Sequence, residues 1–387
     1  MTSRERVMLA LNHEEPDKVP LDLGGTICTT ITRIANNKLK EYLGVKCEEE
    51  EITNPLMDTV VPCEEILKIF EIDFRAIRMG PPSSLKEGQQ SFAGVSQKRG
   101  ESFVDEYGTR WQKSFYDYAP VGFPLADADI DDLKKFPWPN PYDPGRIKGL
   151  REKARYLYEN TDYCIVADIM CGGPFEQALW LRGFDRFLVD LHINKKFAMA
   201  LLDKITEIDI MFWDAYLNAV GDYVQVVAQG DDVGTQTGSF VSPEVYKKFV
   251  HPCHKRIFQF IKSKTKAKVF YHSCGSVYSL IPLFIEEGVD ILNPVQCGAK
   301  DMQLDRLKKE FGKDIVFWGG GIDVQKVLPY ATPKQIEKEV KKTMEIMAEG
   351  GGFVFAGTHN IQPDIPPEKI YAMYKAAKEY RNYDRDL

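Results

Sequence analysis

Eight short apolar runs alternate with helical segments along the chain, and no other feature of the sequence limits its possible folds so strongly. The runs occupy residues 19–23, 74–79, 163–170, 223–229, 268–272, 290–295, 315–320 and 352–357. Most of them are continuously apolar rather than alternating, which is typical of strands buried on both faces of a parallel sheet. Eight strands that are each followed by a helix predict an α/β fold of the (β/α)8 TIM-barrel type, and an open doubly wound sheet is the alternative.

The segments between the apolar runs carry helical patterns. Residues 186–220, 243–264 and 332–349 each indicate one helix, and a fourth helical pattern closes the chain. Thr332 is the expected N-cap of the third helix. Pro333 stands at the first helical position, where its missing amide hydrogen is not needed.

Residues 80–140 interrupt this alternation between the second and third strands. The part around residues 91–115 is rich in Gly, Ser and aromatic residues and predicts a β-meander, and residues 124–144 predict a capped helix with a Pro-rich return. No strong linker divides the chain. We therefore expect a single domain over residues 1–387, with an insertion at about 80–140.

Charge and composition exclude some partners. The chain of 387 residues has a net charge of −7, which argues against nucleic acid or a membrane surface as the main partner, because both attract basic proteins. No apolar run reaches the length of a membrane helix, and the N-terminal stretch has no signal-peptide core. We expect a cytoplasmic protein, in which the eight cysteines are buried thiols or ligands rather than disulfides.

The ends of the predicted strands are rich in residues that carry chemistry. Gly, Asp, His, Cys, Asn and Gln are dense just after the strands and not before them, as in "QGDDVGTQ" and "HSCGS". In a (β/α)8 barrel, catalytic residues lie at the carboxyl ends of the strands or in the loops that follow. This asymmetry therefore supports both the fold and an active site at that face.

His272 and Cys274 are the strongest candidates for metal ligands. They follow the fifth strand at a spacing of two, which places them on one side of an extended backbone, and histidine and cysteine are preferred ligands of zinc. A third ligand must come from another strand end, where Cys171, Cys297 and His359 are available, and we favour His359. The alternative is a buried thiol beside a hydrogen-bonded histidine.

Asp231 and Asp232 follow the fourth strand as adjacent acids flanked by glycines. One of them could support a ligand histidine, bind the metal or act as a general acid. The alternative is a solvated loop or an N-cap for the next helix.

Four other polar residues have simpler interpretations. Glu176 and Arg182 lie in the first turns of one predicted helix, where an intrahelical or loop-fixing ion pair is the alternative to a functional role. His251 and His254 lie among apolar residues of another helix and are expected to be packing residues.

Several long stretches together resemble the uroporphyrinogen decarboxylase superfamily. They are "SRERVMLALNHEEPDKVPLDLGG" at the start, "YHSCGSVYSLIPLFIEEGVDILNPVQ", "FWGGGIDVQKVLPYATPKQI" and the Gly-rich last strand. The resemblance covers nearly the whole chain and is loose only at residues 80–140. It implies a (β/α)8 barrel, in agreement with the strand count.

Within that superfamily the chain resembles the zinc-dependent corrinoid methyltransferases rather than the decarboxylases. Decarboxylases carry an Arg-rich segment after the first strand to bind propionates, whereas "DLGGTICTTITR" has no arginine before Arg33. The resemblance implies a zinc ion held by His272, Cys274 and a third ligand at the position of His359, where the methyltransferases have a cysteine. This branch includes the methylcobalamin:coenzyme M enzymes and the methyl-donor-specific enzymes of O-demethylase systems.

The resemblance implies a transfer of a methyl group from a methoxylated substrate, for instance an aromatic one, to the cobalt of a separate corrinoid protein. The chain lacks the DxHxxG signature of corrinoid-binding domains, so the cobalamin cofactor must arrive on a partner. Asp231 or Asp232 would assist as proton donor. The alternatives are transfer from methylcobalamin to a thiol, a decarboxylase, or a tetrapyrrole-binding module. The oligomeric state stays open, with a homodimer as one option.

Overall fold

A computed structural model describes residues 1–47, 51–54, 56–85, 89–90, 101–114, 117–170 and 172–383. Within these ranges no helix combines the length and the apolar character that crossing a membrane requires.

The described residues form fourteen β-strands. In chain order they are β1 (Ile31–Thr32), β2 (Glu51–Asn54), β3 (Thr59–Val61), β4 (Phe74–Ile77), β5 (Gln89–Gln90), β6 (Ser102–Asp105), β7 (Arg110–Lys113), β8 (Tyr118–Gly122), β9 (Cys164–Ala167), β10 (Val226–Gly230), β11 (Lys268–His272), β12 (Ile291–Asn293), β13 (Val316–Trp318) and β14 (Phe353–Val354).

The same ranges contain fourteen α-helices and two 3₁₀ helices, Pro144–Ile147 and Tyr278–Leu280. The α-helices are α1 (Ser3–Leu11), α2 (Arg33–Leu43), α3 (Glu64–Ile69), α4 (Ile130–Lys135), α5 (Leu150–Asn160), α6 (Pro174–Arg182), α7 (Phe184–Ile193), α8 (Lys195–Val220), α9 (Pro243–Phe249), α10 (His251–Lys264), α11 (Ile281–Glu287), α12 (Leu304–Phe311), α13 (Pro333–Met347) and α14 (Pro367–Tyr380).

The main sheet has seven parallel strands in the order β14-β13-β12-β11-β10-β9-β4. The first apolar run closes it between the two edge strands. The amide of Asp22 donates to the carbonyl of Phe355 at 2.9 Å, and on the other side the amide of Asp73 donates to the carbonyl of Leu21 at 3.0 Å. The predicted (β/α)8 barrel is confirmed.

The first of the eight predicted strands forms only an isolated bridge, Leu21 with Phe355. Pro20 has no amide hydrogen to give to a ladder, and the amide of Leu21 donates to the carboxylate of Asp73 at 2.9 Å instead. The run therefore completes the barrel without regular strand pairing along its length.

Side chains from alternate strand positions fill the interior of the barrel. They form a buried apolar cluster that includes Phe74, Phe270 and Trp318, and the ring centroids of Phe74 and Trp318 lie 4.4 Å apart. Val7 and Leu11 of α1 belong to the same cluster. Helix α1 thus covers the amino end of the barrel, and access to the interior is left to the carboxyl end.

Two of the predicted helices are each broken in two. Residues 186–220 divide at Asn194 into α7 and α8, because the backbone of Asn194 leaves the helical region. Residues 243–264 divide at Val250 into α9 and α10, where Pro252 cannot donate the amide hydrogen that a continuous helix needs. Thr332 caps α13 as predicted, and its hydroxyl accepts from the amide of Gln335.

A four-stranded sheet, in the order β5-β6-β7-β8, lies between β4 and β9 in the chain. Strands β6, β7 and β8 form a meander, whereas β5 pairs with β6 in parallel. Of the stretch predicted as a meander, residues 91–100 and 115 lie outside the described residues. Trp111 of this sheet is buried, and its ring meets that of Trp180 in α6 at 5.4 Å. The inserted sheet therefore packs beside the helix that follows β9. The extent of the single domain stays a prediction.

Cysteine usage differs from the expectation in one pair. Cys47 and Cys63 form a disulfide, with their Cα atoms 6.5 Å apart, so the expectation of thiols is wrong for these two. The chain folds back through the small antiparallel sheet β1-β3-β2 and brings the end of α2 to the start of α3. Cys28, Cys164 and Cys253 are buried thiols, as expected.

Candidate active site

A cavity of about 500 Å³ opens at the carboxyl ends of the barrel strands. His272 and Cys274 line it from the end of β11, and Asp232 lines it from the loop after β10. His359 reaches it from the loop after β14, and Glu176 from the first turn of α6. Four of the five residues proposed from the sequence therefore meet in one cavity, whereas Asp231 does not line it.

Hydrogen bonds fix the orientation of His272. The side-chain nitrogen of Asn293 donates to the carbonyl of Trp318 at 2.8 Å, so its oxygen faces His272 and accepts from Nδ1 at 2.6 Å. The proton of the neutral ring is thereby held on Nδ1, and Nε2 presents its lone pair to the cavity. Outer partners of this kind commonly orient metal-binding histidines.

The sulfur of Cys274 lies 3.4 Å from Nε2 of His272. The backbone amide of Cys274 donates to Asp232 Oδ1 at 2.7 Å. The next residue, Gly275, has a φ of +91° and approaches the backbone of Thr235 too closely for a side chain. Burial and the neighbouring carboxylate of Asp232 raise the pKa of the Cys274 thiol, so a thiolate here needs a cation close by.

His359 is held beside His272, with ring centroids 5.4 Å apart. Burial, and secondarily the nearness of His272, lower the pKa of His359 to about 3, which keeps the ring neutral and able to bind a metal. Neither of its ring nitrogens has a hydrogen-bond partner among the described residues.

Two groups of possible metal ligands share His272. In one, the ligand atoms of Asp232, His272 and Cys274 all lie within 4.8 Å of one another; in the other, those of Cys28, His272 and His359 do. Cys28 was missed by sequence reasoning. It lies in the loop after the first apolar run, and the only signal was that a cysteine follows a strand end.

The pair His272 and Cys274 fits zinc, whereas His359 joins His272 in the other group, without Cys274. Zn–N bonds of about 2.0–2.1 Å and Zn–S bonds of about 2.3 Å set an N···S separation of about 3.5 Å in a tetrahedral site. The 3.4 Å between His272 Nε2 and Cys274 Sγ agrees with this. Cys297 falls in neither group, and its sulfur lies 3.8 Å from the hydroxyl of Thr358. Cys171, the other candidate, lies outside the described residues.

Asp231 is fully buried beneath the cavity. Its carboxylate accepts the backbone amides of Phe175 at 2.9 Å and Glu176 at 2.7 Å, the first turn of α6, and Nε2–H of His254 at 2.7 Å. No side chain at Gly173 would fit against it. The geometry makes Asp231 the anchor of α6, which carries Glu176.

The expectation that His251 and His254 are packing residues is wrong, because both join a buried polar network. Nδ1 of His254 contacts the hydroxyl of Tyr246 at 2.8 Å, and this hydroxyl donates to Glu287 at 2.7 Å. Nδ1–H of His251 donates to the same carboxylate at 3.0 Å. Burial opposes protonation of His254, but hydrogen bonds to Asp231 and Glu287 outweigh it and raise its pKa to about 9.

The intrahelical form of the ion pair considered for Glu176 and Arg182 does not occur, and Arg182 pairs outside its helix. Arg182 instead donates to Asp190 at 2.7 Å. Burial, with the carboxylates of Asp232 and Asp231 nearby, raises the pKa of Glu176 well above its ordinary value. Protonation of the Glu176 carboxyl group is therefore favoured relative to that of an exposed glutamate.

The cavity is acidic. Its wall includes the carboxyl groups of Asp117, Glu176 and Asp232, and none of the lining residues that the structure describes is a lysine or an arginine. A ligand with several negative charges finds no cationic partner on this wall.

Comparisons with known proteins give the family and the fold. The family model for uroporphyrinogen decarboxylase (URO-D) matches residues 118–380. A uroporphyrinogen decarboxylase of Citrifermentans bemidjiense is 26% identical over 262 residues, which cover 64% of this chain and 68% of that protein. A methylated-thiol–coenzyme M methyltransferase of Methanosarcina mazei is 24% identical over 271 residues, 70% of this chain and 67% of that protein.

A solved structure described as a methyltransferase from Methanosarcina mazei superposes on the chain with a TM-score of 0.64 and 20% identity. The match covers 98% of this chain and 99% of the other. At this level of identity the likeness supports the barrel fold and carries no argument about the reaction.

Proposed function

Because the chain belongs to the uroporphyrinogen decarboxylase (URO-D) family, we propose that it is a zinc-dependent methyltransferase of that family. It takes a methyl group from a methoxylated compound, for instance an aromatic ether, and delivers it to the corrinoid of a separate protein. The observation that carries this proposal is the approach of His272 Nε2 and Cys274 Sγ to 3.4 Å in the cavity. A decarboxylase has no evident need for such a pair of metal donors.

His272, Cys274 and His359 are the residues that would hold the zinc ion. Three protein ligands leave one position for a substrate, as in other catalytic zinc sites. When bound, zinc supplies Lewis-acid polarisation of the ether oxygen, and the corrinoid protein supplies the methyl acceptor. His359 stands where the zinc-dependent corrinoid methyltransferases have a cysteine, so a neutral imidazole takes the place of a thiolate. This increases the positive charge of the site and suits an oxygen donor.

The residues around the ligands have separate tasks. Asn293 fixes the tautomer of His272, and Asp232 holds the backbone of Cys274 while its Oδ1 stays 3.8 Å from His272 Nε2. Glu176 offers a proton at its carboxyl group, where a leaving alkoxide or phenolate can take it up. Asp231 positions Glu176 from beneath the cavity. The proton donor is therefore assigned to Glu176 rather than to the pair Asp231 and Asp232.

The acidic wall distinguishes the candidate substrates. Porphyrinogen carboxylates and the sulfonate of coenzyme M are anions that are normally bound by arginine or lysine, and the described lining residues provide neither. A neutral methoxylated compound needs no such partner. Transfer to a thiol without an acidic group is the second candidate, favoured by the relative that acts on methylated thiols.

Metal content and activity of matched variants test this function. We expect about one zinc per chain in the wild type, and loss of zinc and of methyl transfer together in His272→Ala. His359→Ala should bind zinc more weakly. His192→Ala, at an exposed position of α7, is the control and should keep both.

Methyl transfer is assayed with a panel of methoxylated compounds and a cobalt(I) corrinoid. Methyl transfer by His272→Ala without bound zinc would contradict the mechanism. A wild type without zinc, purified without chelators, would return the decarboxylase and the binding module to consideration.

A further inference from the structure

Cys28 is a buried thiol at the cavity for which the proposed function has no task. It is 8% exposed and lines the cavity wall. Its sulfur lies within 4.8 Å of ligand nitrogens of both His272 and His359. It is thus the one described cysteine, other than Cys274, that stands among candidate metal ligands at this cavity.

The loop that carries Cys28 is tied to the segment that carries His359. The side-chain nitrogen of Asn360 donates to the carbonyl of Ile27 at 2.9 Å, and its side-chain oxygen accepts the amide of Thr30 at 2.8 Å. One asparagine therefore bridges the residues on both sides of Cys28 and is itself the neighbour of His359. This bridge fixes the position of the Cys28 thiol relative to the imidazole of His359.

A second set of contacts fixes the same loop from below. The amide of Ile27 donates to Asp168 Oδ1 at 3.1 Å, and the amide of Cys28 donates to the hydroxyl of Thr26 at 3.2 Å. Because the backbone is held on both sides, the position of the sulfur is built into the loop. Pre-placed ligands of this kind are what a metal site requires.

We propose that Cys28 is a ligand of the metal, and that its thiolate fills the fourth position beside His272, Cys274 and His359 in the resting enzyme. The proposal rests on the proposed function, which supplies the metal. Two thiolates and two neutral imidazoles balance the charge of a divalent ion, and binding releases the thiol proton to solvent. A substrate then displaces Cys28, whose thiolate takes up a proton from solvent, and this leaves the more positive three-ligand site that the proposed function uses.

Cobalt(II) in place of zinc counts the bound sulfurs without reference to activity. Each Co–thiolate bond contributes sulfur-to-cobalt charge-transfer absorption in the near ultraviolet. We expect Cys28→Ser to lose about half of the wild-type intensity at one cobalt per chain, Cys274→Ser to lose a similar share, and the double variant to lose nearly all. Cys297→Ser is the matched control and should keep the full intensity, because Cys297 belongs to neither ligand group.

X-ray absorption of the zinc-loaded wild type provides a measurement that needs no variant. We expect two sulfur neighbours at about 2.3 Å and two nitrogen neighbours at about 2.0–2.1 Å. A single sulfur, or an unchanged charge-transfer band in Cys28→Ser, would overturn the role of Cys28 alone. A wild type that binds neither zinc nor cobalt would overturn both this proposal and the proposed function.

Discussion

The hydrogen bond between Asn293 and His272 contributes to two properties that can be measured independently, which are the affinity of the site for zinc and the stability of the fold. Asn293 is fully buried and makes two contacts, accepting from His272 at 2.6 Å and donating to the carbonyl of Trp318 at 2.8 Å. Asn293→Ala removes both. Asn293→Asp keeps an acceptor for His272 but has no proton for Trp318 when it is ionised.

Each buried polar group left without its partner costs about 1–3 kcal/mol, so Asn293→Ala should lower the free energy of unfolding by about 2–6 kcal/mol for two such groups. Loss of an outer partner weakens metal binding about 10- to 100-fold, which is about 1.4–2.7 kcal/mol. Asn293→Asp should also lose stability, because its carboxylate then faces the carbonyl of Trp318. It should nevertheless bind zinc at least as tightly as the wild type.

Zinc affinity is measured by competition with a chromophoric chelator, and stability by urea unfolding of the metal-free protein. Asn160→Ala, at the exposed end of α5, is the control. Equal zinc affinity in the wild type and Asn293→Ala would refute the claim that this bond orients His272. An equal loss of zinc affinity in Asn293→Ala and Asn293→Asp would refute the claim that zinc binding depends on the oxygen that accepts from His272.

Three further predictions concern a proton donor, a buried charge and a backbone position. Glu176→Gln should lower the rate of methyl transfer about 100-fold or more with little change in zinc content; a rate equal to the wild type would remove Glu176 from the mechanism. The pKa of His254 is raised from 6.5 to about 9, so protonated His254 should contribute about 3 kcal/mol to the free energy of unfolding. This contribution should be complete below pH about 6.5 and lost as the pH rises through about 9. NMR titration of the ring should give this pKa, and a value below 6.5 would contradict the hydrogen-bond network around His254. Gly275→Ala should destabilise the fold by about 2 kcal/mol or more, because φ is +91° and the backbone of Thr235 is in the way, whereas Gly238→Ala meets open space and should leave the melting temperature nearly unchanged.

The sequence predicted best those features that depend on neighbouring residues. The continuous apolar runs indicated the parallel barrel, and the Thr332 cap was visible in the residues that form it. The spacing of His272 and Cys274 placed two donors on one side of one strand end. The resemblance to the uroporphyrinogen decarboxylase superfamily, stated from these stretches, is confirmed by the family match.

Features that depend on distant contacts could not be predicted in the same way. Cys28 lies 244 positions before His272 (272 − 28), and only barrel closure brings the two together. Asp231 and Asp232 are equivalent in sequence, yet one caps α6 and the other lines the cavity. The disulfide between Cys47 and Cys63 depends on how a small sheet folds back, which no local pattern reveals.

The covering of the amino end by α1 has a consequence for the order of events. With Val7 and Leu11 in the interior apolar cluster, α1 covers the amino end, and the cavity described above opens at the carboxyl end. Under the proposed function, a corrinoid protein that docks over this opening would block it. A small methyl donor must then enter before the protein partner arrives, and the demethylated product can depart only after that partner has dissociated. Steady-state kinetics should accordingly follow a compulsory sequence, in which an excess of corrinoid protein slows turnover by trapping the product.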